Sequence, residues 1–110
     1  MNKFINAGAI LKTDPTDLYV CPPNTNAVIH TLFLSTISDS VTSKVNVQVY
    51  DASEGALYNL GWLLEILPNA TLSFDKPINL DGNDIIRLTA DTHNEVHAFA
   101  SILHVVPMTI

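Results

Sequence analysis

Residues 44–51 read Lys44-Val45-Asn46-Val47-Gln48-Val49-Tyr50-Asp51, and apolar and polar side chains alternate along this stretch. Successive side chains of a β-strand point to opposite faces, so a period of two places the three valines on one face. Valine is β-branched and suits a pleated surface. The stretch therefore predicts a half-buried antiparallel strand.

Four further segments show the same pattern with less contrast. Residues 27–34 are apolar on both faces, which predicts a strand covered on both sides. Residues 84–90, 96–106 and 70–75 each have an apolar set at alternate positions. The predicted inward sets are Ile86, Leu88 and Ala90, then Ala98, Ala100 and Ile102 (opposite Phe99, Leu103 and Val105), and finally Leu72 with Phe74.

Turn signals separate these segments at regular intervals, among them Pro22-Pro23-Asn24, Pro68-Asn69 and Asp81-Gly82-Asn83. Proline presets φ and glycine tolerates positive φ, so we expect Gly82 to adopt the left-handed conformation. Short strands with a turn every 8–12 residues are typical of a β-sandwich or a small barrel. The sequence predicts one all-β domain over residues 1–110, an antiparallel, jelly-roll-like β-sandwich of seven to nine strands.

Residues 56–66 are compatible with two structures. Leu57, Leu60 and Leu64 have the spacing of one helix face. Gly61 disfavours a helix and Pro68 would end it, whereas a strand accommodates the glycine at a bulge. A strand with a glycine bulge and a short helix both remain open, and the strand is favoured.

Charged residues make up only 15% of the chain, against about 25% in typical proteins. Ser, Thr and Asn, 27 residues together, take their place. The net charge of −6 argues against nucleic acid as a partner. No apolar run reaches the roughly 20 residues that a membrane span requires, and no secretion signal is evident.

No residue pattern indicates a catalytic, cofactor or metal site. His93 and His97 lie about 13 Å apart if they are on one strand, too far to share an ion. The acids of residues 81–84 lack the order of a calcium loop and suit an ordinary turn. No motif surrounds a serine nucleophile, although a hydrolase that uses His30, His93, His97 or His104 remains a remote alternative. Cys21 stands alone and is interpreted as a small buried hydrophobe.

Two surface hypotheses remain, and both concern binding. Low charge is typical of interface centres, where each charge would have to lose its hydration, so we expect a homo-oligomer. Apolar residues near the two ends either dock on another chain or pack on their own domain: Phe4, Ile5, Met108 and Ile110. Tyr50, Tyr58 and Trp62 would form a stacking platform if the domain bound carbohydrate, although Trp62 is more simply a core residue.

Two parts of the sequence resemble a known family. Pro22-Pro23-Asn24-Thr25-Asn26-Ala27-Val28-Ile29 is followed by Leu67-Pro68-Asn69-Ala70-Thr71-Leu72 and by the run from Pro77 to Leu88. This succession resembles the small all-β virion proteins of tailed bacteriophages, and the likeness extends over residues 9–104. One departure is Asn83, which separates Gly82 from Asp84.

The resemblance implies a non-enzymatic structural component of a virion. It implies most directly a head decoration or cement protein on the capsid, assembled as a symmetric oligomer such as a trimer. The partners would then be other copies of the chain and virion proteins such as the major capsid protein. A neck, tail or baseplate component is the alternative within the family, and a carbohydrate-binding module is the alternative from another class. No catalytic residue and no cofactor follow from the resemblance.

Overall fold

The structure is a computed structural model that describes residues 2–105. Within this range it contains β-strands and their connections, and no helix that could cross a membrane is found there. The strands are β1 (Asn2–Ile10), β2 (Thr16–Val20), β3 (Asn26–Thr36), β4 (Ser43–Asp51), β5 (Ala56–Ile66), β6 (Thr71–Phe74), β7 (Ile78–Leu80), β8 (Ile85–Ala90) and β9 (Val96–Val105).

The strands form two antiparallel sheets. In the five-stranded sheet the order is β1-β9-β3, and β6 and β7 pair with successive parts of β3. In the four-stranded sheet the order is β2-β8-β4-β5. Because β6 and β7 share one edge position, each sheet has four positions, and the two strand orders are those of a jelly roll. The predicted sandwich is confirmed.

The core lies between the two sheets and includes most of the predicted inner residues, together with others such as Ile29 and Leu80. Val45 and Val47 of β4 are fully buried, and so are Ile86 and Leu88 of β8 and Ile102 of β9. Each such side chain stabilises the fold by roughly 1.5–3 kcal/mol relative to an exposed one. The free thiol of Cys21 is also buried, as predicted, and contributes to the core without forming a disulfide.

Two expectations about local structure were wrong. The strand at residues 27–34 is covered on one face only, because the side chain of Phe33 points away from the core and is 42% exposed. At the 81–84 turn Asn83, not Gly82, has the positive φ, at 71°. Gly82 is required for a different reason: a Cβ there would lie 3.0 Å from the backbone nitrogen of Asn24.

The connections meet at the two ends of the sandwich. At one end, main-chain hydrogen bonds join Leu11 to Val96, Ile37 to Glu95 and Asn69 to Ser38. At the other end, the amide of Asn83 donates to the carbonyl of Cys21. Most acidic residues lie in or beside these connections, namely Asp14, Asp39, Asp51, Glu54, Asp75, Asp81, Asp84, Asp91 and Glu95. The two sheet faces are therefore left with few charges.

Candidate assembly surfaces

The outer face of the five-stranded sheet carries no Asp, Glu, Lys or Arg on any described strand. Strand alternation and the pairing registers place its residues directly. They are Asn2, Phe4, Asn6, Gly8 and Ile10 of β1; His97, Phe99, Ser101, Leu103 and Val105 of β9; Asn26, Val28, Thr31, Phe33 and Ser35 of β3, with His30 at the β3 bulge, where it stacks on Phe4; Thr71 and Ser73 of β6; and Asn79 of β7. We call this set the uncharged face.

Aromatic rings cover the backbone of the uncharged face. Phe99 lies between Gly8 and Phe33 in the strand register, and its ring lies so close to Gly8 that a Cβ there would be 3.3 Å from Phe99 Cδ1. An aromatic side chain laid over an edge glycine compensates for the packing that glycine lacks. Phe4 stacks at a tilt on His30, with ring centroids 5.8 Å apart. The face thus combines apolar side chains with hydroxyl, amide and imidazole groups, and its described residues include no carboxylate, ammonium or guanidinium group.

The outer face of the four-stranded sheet has the opposite character. Arg87 of β8 donates from Nε to Asp17 Oδ1 of β2 over 2.7 Å. Lys44 of β4 pairs with Glu65 of β5 in the strand register. Charges of both signs next to each other are typical of a solvated surface. The absence of charge is therefore a property of one sheet face and not of the whole molecule.

A second apolar surface lies on the edge strand β5. It consists of Leu57, Tyr58, Leu60, Trp62 and Leu63, which lie on both faces of this edge strand, and each is between 44% and 57% exposed. We call it the β5 surface. An edge strand with this many exposed apolar side chains favours association with another chain.

Irregular pairing produces the β5 surface. The register to β4 shifts on both sides of the pair Val47–Gly61, so β5 is a strand with a bulge at glycine, as favoured from the sequence. In this bulge Leu63 has φ of 54°, and its amide donates to Asn46 Oδ1 over 2.7 Å. The other described non-glycine residues with positive φ are all asparagines. A leucine in this conformation costs roughly 1–2 kcal/mol, so Asn46 holds a strained backbone in place.

The expected aromatic platform is split by the strand geometry. Trp62 is 57% exposed, so its interpretation as a core residue was wrong: the bulge turns it outward. Tyr50 is opposite Leu57 and Tyr58 is opposite Val49, which puts the two tyrosines on opposite faces of the sheet. Tyr50 lies four positions along β4 from Asn46, which is next to the bulge, and this is a distance of about 13 Å. A single sugar ring does not reach across these three side chains.

The residues predicted near the chain ends have different environments. Phe4 is 74% exposed and belongs to the uncharged face. Ile5 points inward and packs against the core, so it is covered by its own domain. Met108 and Ile110 lie outside the described residues.

The histidines and the 81–84 turn are not brought together into a chemical site. Within residues 2–105, no three His, Cys, Asp or Glu side chains are close enough to hold a metal ion. Asp84 accepts from the amide of Asp81 over 2.8 Å and from that of Ala52 over 3.0 Å. Both of its carboxylate oxygens are therefore used to close connections of the fold.

The Cys21 thiol and the Tyr19 hydroxyl both have raised pKa values. Burial, followed by the carboxylate of Asp84, raises the pKa of the Cys21 thiol. Burial also raises the pKa of Tyr19 to about 12, with Cys21 as the second cause. At the connection between β4 and β5, a hydrogen bond to Glu54 raises the pKa of Tyr58. A thiol that resists ionisation is a poor nucleophile.

Sequence reasoning missed β1, which provides one edge of the uncharged face. Its alternation is present but weak, because the inward residues are Ile5, Ala7 and Ala9, and two of these are small. Asn6 and Gly8 occupy the outward positions between them. A period-two search that counted alanine as apolar and glycine as outward would have detected the strand.

Comparison by sequence identifies no relative: no family model matches this chain and no curated protein does. Solved structures match over nearly its whole length. A chain of the Bacillus endospore appendages, a family of disulfide-linked pili, has a TM-score of 0.60 at 9% identity and covers 98% of this chain and 88% of its own.

Two viral chains match almost as well. The capsid of Helicobacter pylori bacteriophage KHP30 has a TM-score of 0.56 at 14% identity, covering 99% of this chain and 90% of that chain. The virus-like particle of the extra small virus of the prawn Macrobrachium rosenbergii has a TM-score of 0.52 at 9% identity, covering 99% and 80%. At such identities the likeness concerns the fold, a jelly-roll sandwich.

Proposed function

We propose that this chain is a non-enzymatic structural component of a virion, a head decoration or cement protein that assembles on the capsid as a symmetric homo-oligomer. One observation carries the proposal: the sandwich exposes two separate sets of side chains with the composition of an interface, the uncharged face and the β5 surface. Reactive groups, by contrast, are dispersed or used to close connections.

Two surfaces matter because extended assemblies need more than one kind of contact. A single self-complementary surface closes a dimer and stops there. A subunit with two surfaces contacts its neighbours through one and an underlying shell through the other. Many weak neutral contacts of this kind add up when the subunit is present in many copies.

The fold neighbours support an assembly role, since one is a phage capsid and another a virus-like particle. The pili among the neighbours are described as disulfide-linked. The single cysteine of this chain, Cys21, is 0% exposed. It does not reach another chain while the domain is folded, which favours a non-covalent assembly.

The experiment is mass spectrometry of intact purified particles with absolute copy numbers. A copy number close to that of the major capsid protein is expected for a decoration or cement protein. A dozen copies or fewer would instead indicate a neck, tail or baseplate component. Absence of the chain from the particles would refute the virion role altogether.

A further inference from the structure

We propose that the uncharged face is the docking site for a second copy of this chain, with two such faces packed against each other across a two-fold axis. The inference names the partner of one surface on which the proposed function rests. It makes a separate claim, because a dimer of this kind forms in solution without any particle.

The charge distribution points to a copy of the same chain. Each copy has a net charge of −6, so two copies repel each other unless their acids stay apart. In a two-fold contact a charge near the axis faces its own duplicate, and like charges there cannot be matched. A face without charged side chains of either sign avoids this repulsion between duplicates. A partner of opposite charge would instead favour an acidic face.

The positions of the acids fit the same arrangement. Nearly all of them lie at the ends of the sandwich, and Asp17 and Glu65 lie on the outer face of the other sheet, where Arg87 and Lys44 are their neighbours. Two uncharged faces in contact therefore leave these carboxylates in water. The charges keep their hydration, and the neutral hydroxyl and amide groups of the face are left to pair across the contact.

The dimensions of the face are those of a stable interface. Four strand positions at about 4.8 Å and about ten residues at 3.3 Å give a flat area of about 600 Å². The accessible area of the protruding side chains is larger than this, and a standard interface takes about 800 Å² from each partner. Phe4, Ile10, Phe33 and Phe99, between 42% and 74% exposed, provide about 400 Å² of apolar surface. A standard interface contains about 450 Å² of it per side.

The test uses matched pairs of substitutions on the two sheets. Ser101 lies on β9 in the middle of the uncharged face, and Thr89 occupies the equivalent inner-strand position on the outer face of the other sheet. Both carry a hydroxyl and both are half-buried. The variants are Ser101→Glu and Ser101→Lys, with Thr89→Glu and Thr89→Lys as controls.

Sedimentation velocity over a wide concentration range measures the dissociation constant. The native chain should form dimers, or assemblies built from dimers. Both Ser101 variants should raise the dissociation constant of the dimer at least about 100-fold, because either charge is buried without a partner. The lysine substitution makes each copy less negative and weakens the repulsion between copies. Dissociation of the Ser101→Lys dimer would therefore show that the loss of hydration of the buried charge, and not net repulsion, breaks the contact. Both Thr89 variants should leave the constant unchanged.

A second pair guards against misfolding of Ser101 variants. Phe4→Lys on β1 and Val20→Lys on β2 place the same charge at exposed positions on edge strands of the two sheets. Only the first should dissociate the dimer. A native chain that is monomeric at all concentrations, or an oligomer that survives Ser101→Glu and Phe4→Lys, would overturn the inference. If the chain is monomeric in solution but present in particles, the dimer inference is refuted and the proposed function is not. If the chain is dimeric but absent from particles, the proposed function is refuted and the dimer inference is not.

Discussion

Asn46 controls the bulge that forms the β5 surface, and its truncation is the most informative perturbation of this fold. In Asn46→Ala the amide of Leu63 loses the acceptor that lies 2.7 Å away. The site is open to water, so the lost bond costs about 1 kcal/mol and not the larger penalty of a buried orphan group. With an unfolding entropy of about 2.1 cal/mol/K per residue, this lowers Tm by about 4 °C.

The accepting atom is an oxygen, which provides a sharp comparison. Asn46→Asp keeps an oxygen at the same place and should retain the native stability, whereas Asn46→Ala should not. Gln48→Ala is the matched control, because Gln48 lies on the same strand and face but donates to the side chain of Asn59 over 2.8 Å. Such an exposed contact between two mobile side chains lies at the lower end of the range for a hydrogen bond, about 0.5 kcal/mol.

Two assays measure the effect. Urea unfolding reports the free energy, and acrylamide quenching of Trp62, the single tryptophan, reports the bulge itself. Quenching should increase in Asn46→Ala and stay native in Asn46→Asp and Gln48→Ala. Equal stability and equal quenching in all three variants would show that Asn46 does not hold the strained conformation of Leu63.

Three further predictions concern the core and its titratable groups. Cys21 is buried with a raised pKa, so a thiol reagent should modify it only after urea unfolding; rapid stoichiometric reaction of the native chain would contradict this. The pKa of Tyr19 is raised from 10.0 to about 12, so the folded chain keeps a proton that the unfolded chain releases. Stability should therefore fall as pH rises from about 10 to about 12, and Tyr19→Phe should remove this loss and the last step in an absorbance titration; an unchanged last step would refute the assignment. Gly61→Ala places a Cβ 2.5 Å from Leu64 Cδ1 and should lower the free energy of unfolding by about 1–2 kcal/mol, whereas Gly8→Ala, at 3.3 Å from Phe99, should cost less; equal unfolding midpoints would be the contrary result.

The inward sets of β4, β8 and β9 could be predicted because burial on one face alone imposes a period of two. A strand with a bulge was favoured at residues 56–66 because Gly61 disfavours a helix. The strand β1 was missed because alanine and glycine give a weak alternation signal. Phe33 was misplaced because an apolar residue on an outer face has the same pattern as one covered by a second layer.

The candidate surfaces were harder to predict than the fold. Phe4 was identified from its position near the chain end, but the face to which it belongs draws residues from five strands. Trp62 was expected in the core, since nothing in Leu60-Gly61-Trp62-Leu63 indicates which way a bulge turns its side chains. Low overall charge was visible from composition, but composition does not show on which face of the fold charges are absent.

The amino-acid sequence alone determined that this chain is an antiparallel sandwich whose core has no intrachain disulfide bond, because strand periodicity, turn chemistry and the cysteine count can be read locally. Only the tertiary structure decided which face of the sandwich carries no charged side chain. Residues as distant as Phe4, Phe33 and Phe99 become neighbours only through the strand order of a jelly roll, and a neutral face exists only once β1, β9, β3, β6 and β7 lie side by side. Strand pairing joins distant parts of the chain, so a property of a whole sheet face is invisible to any local pattern.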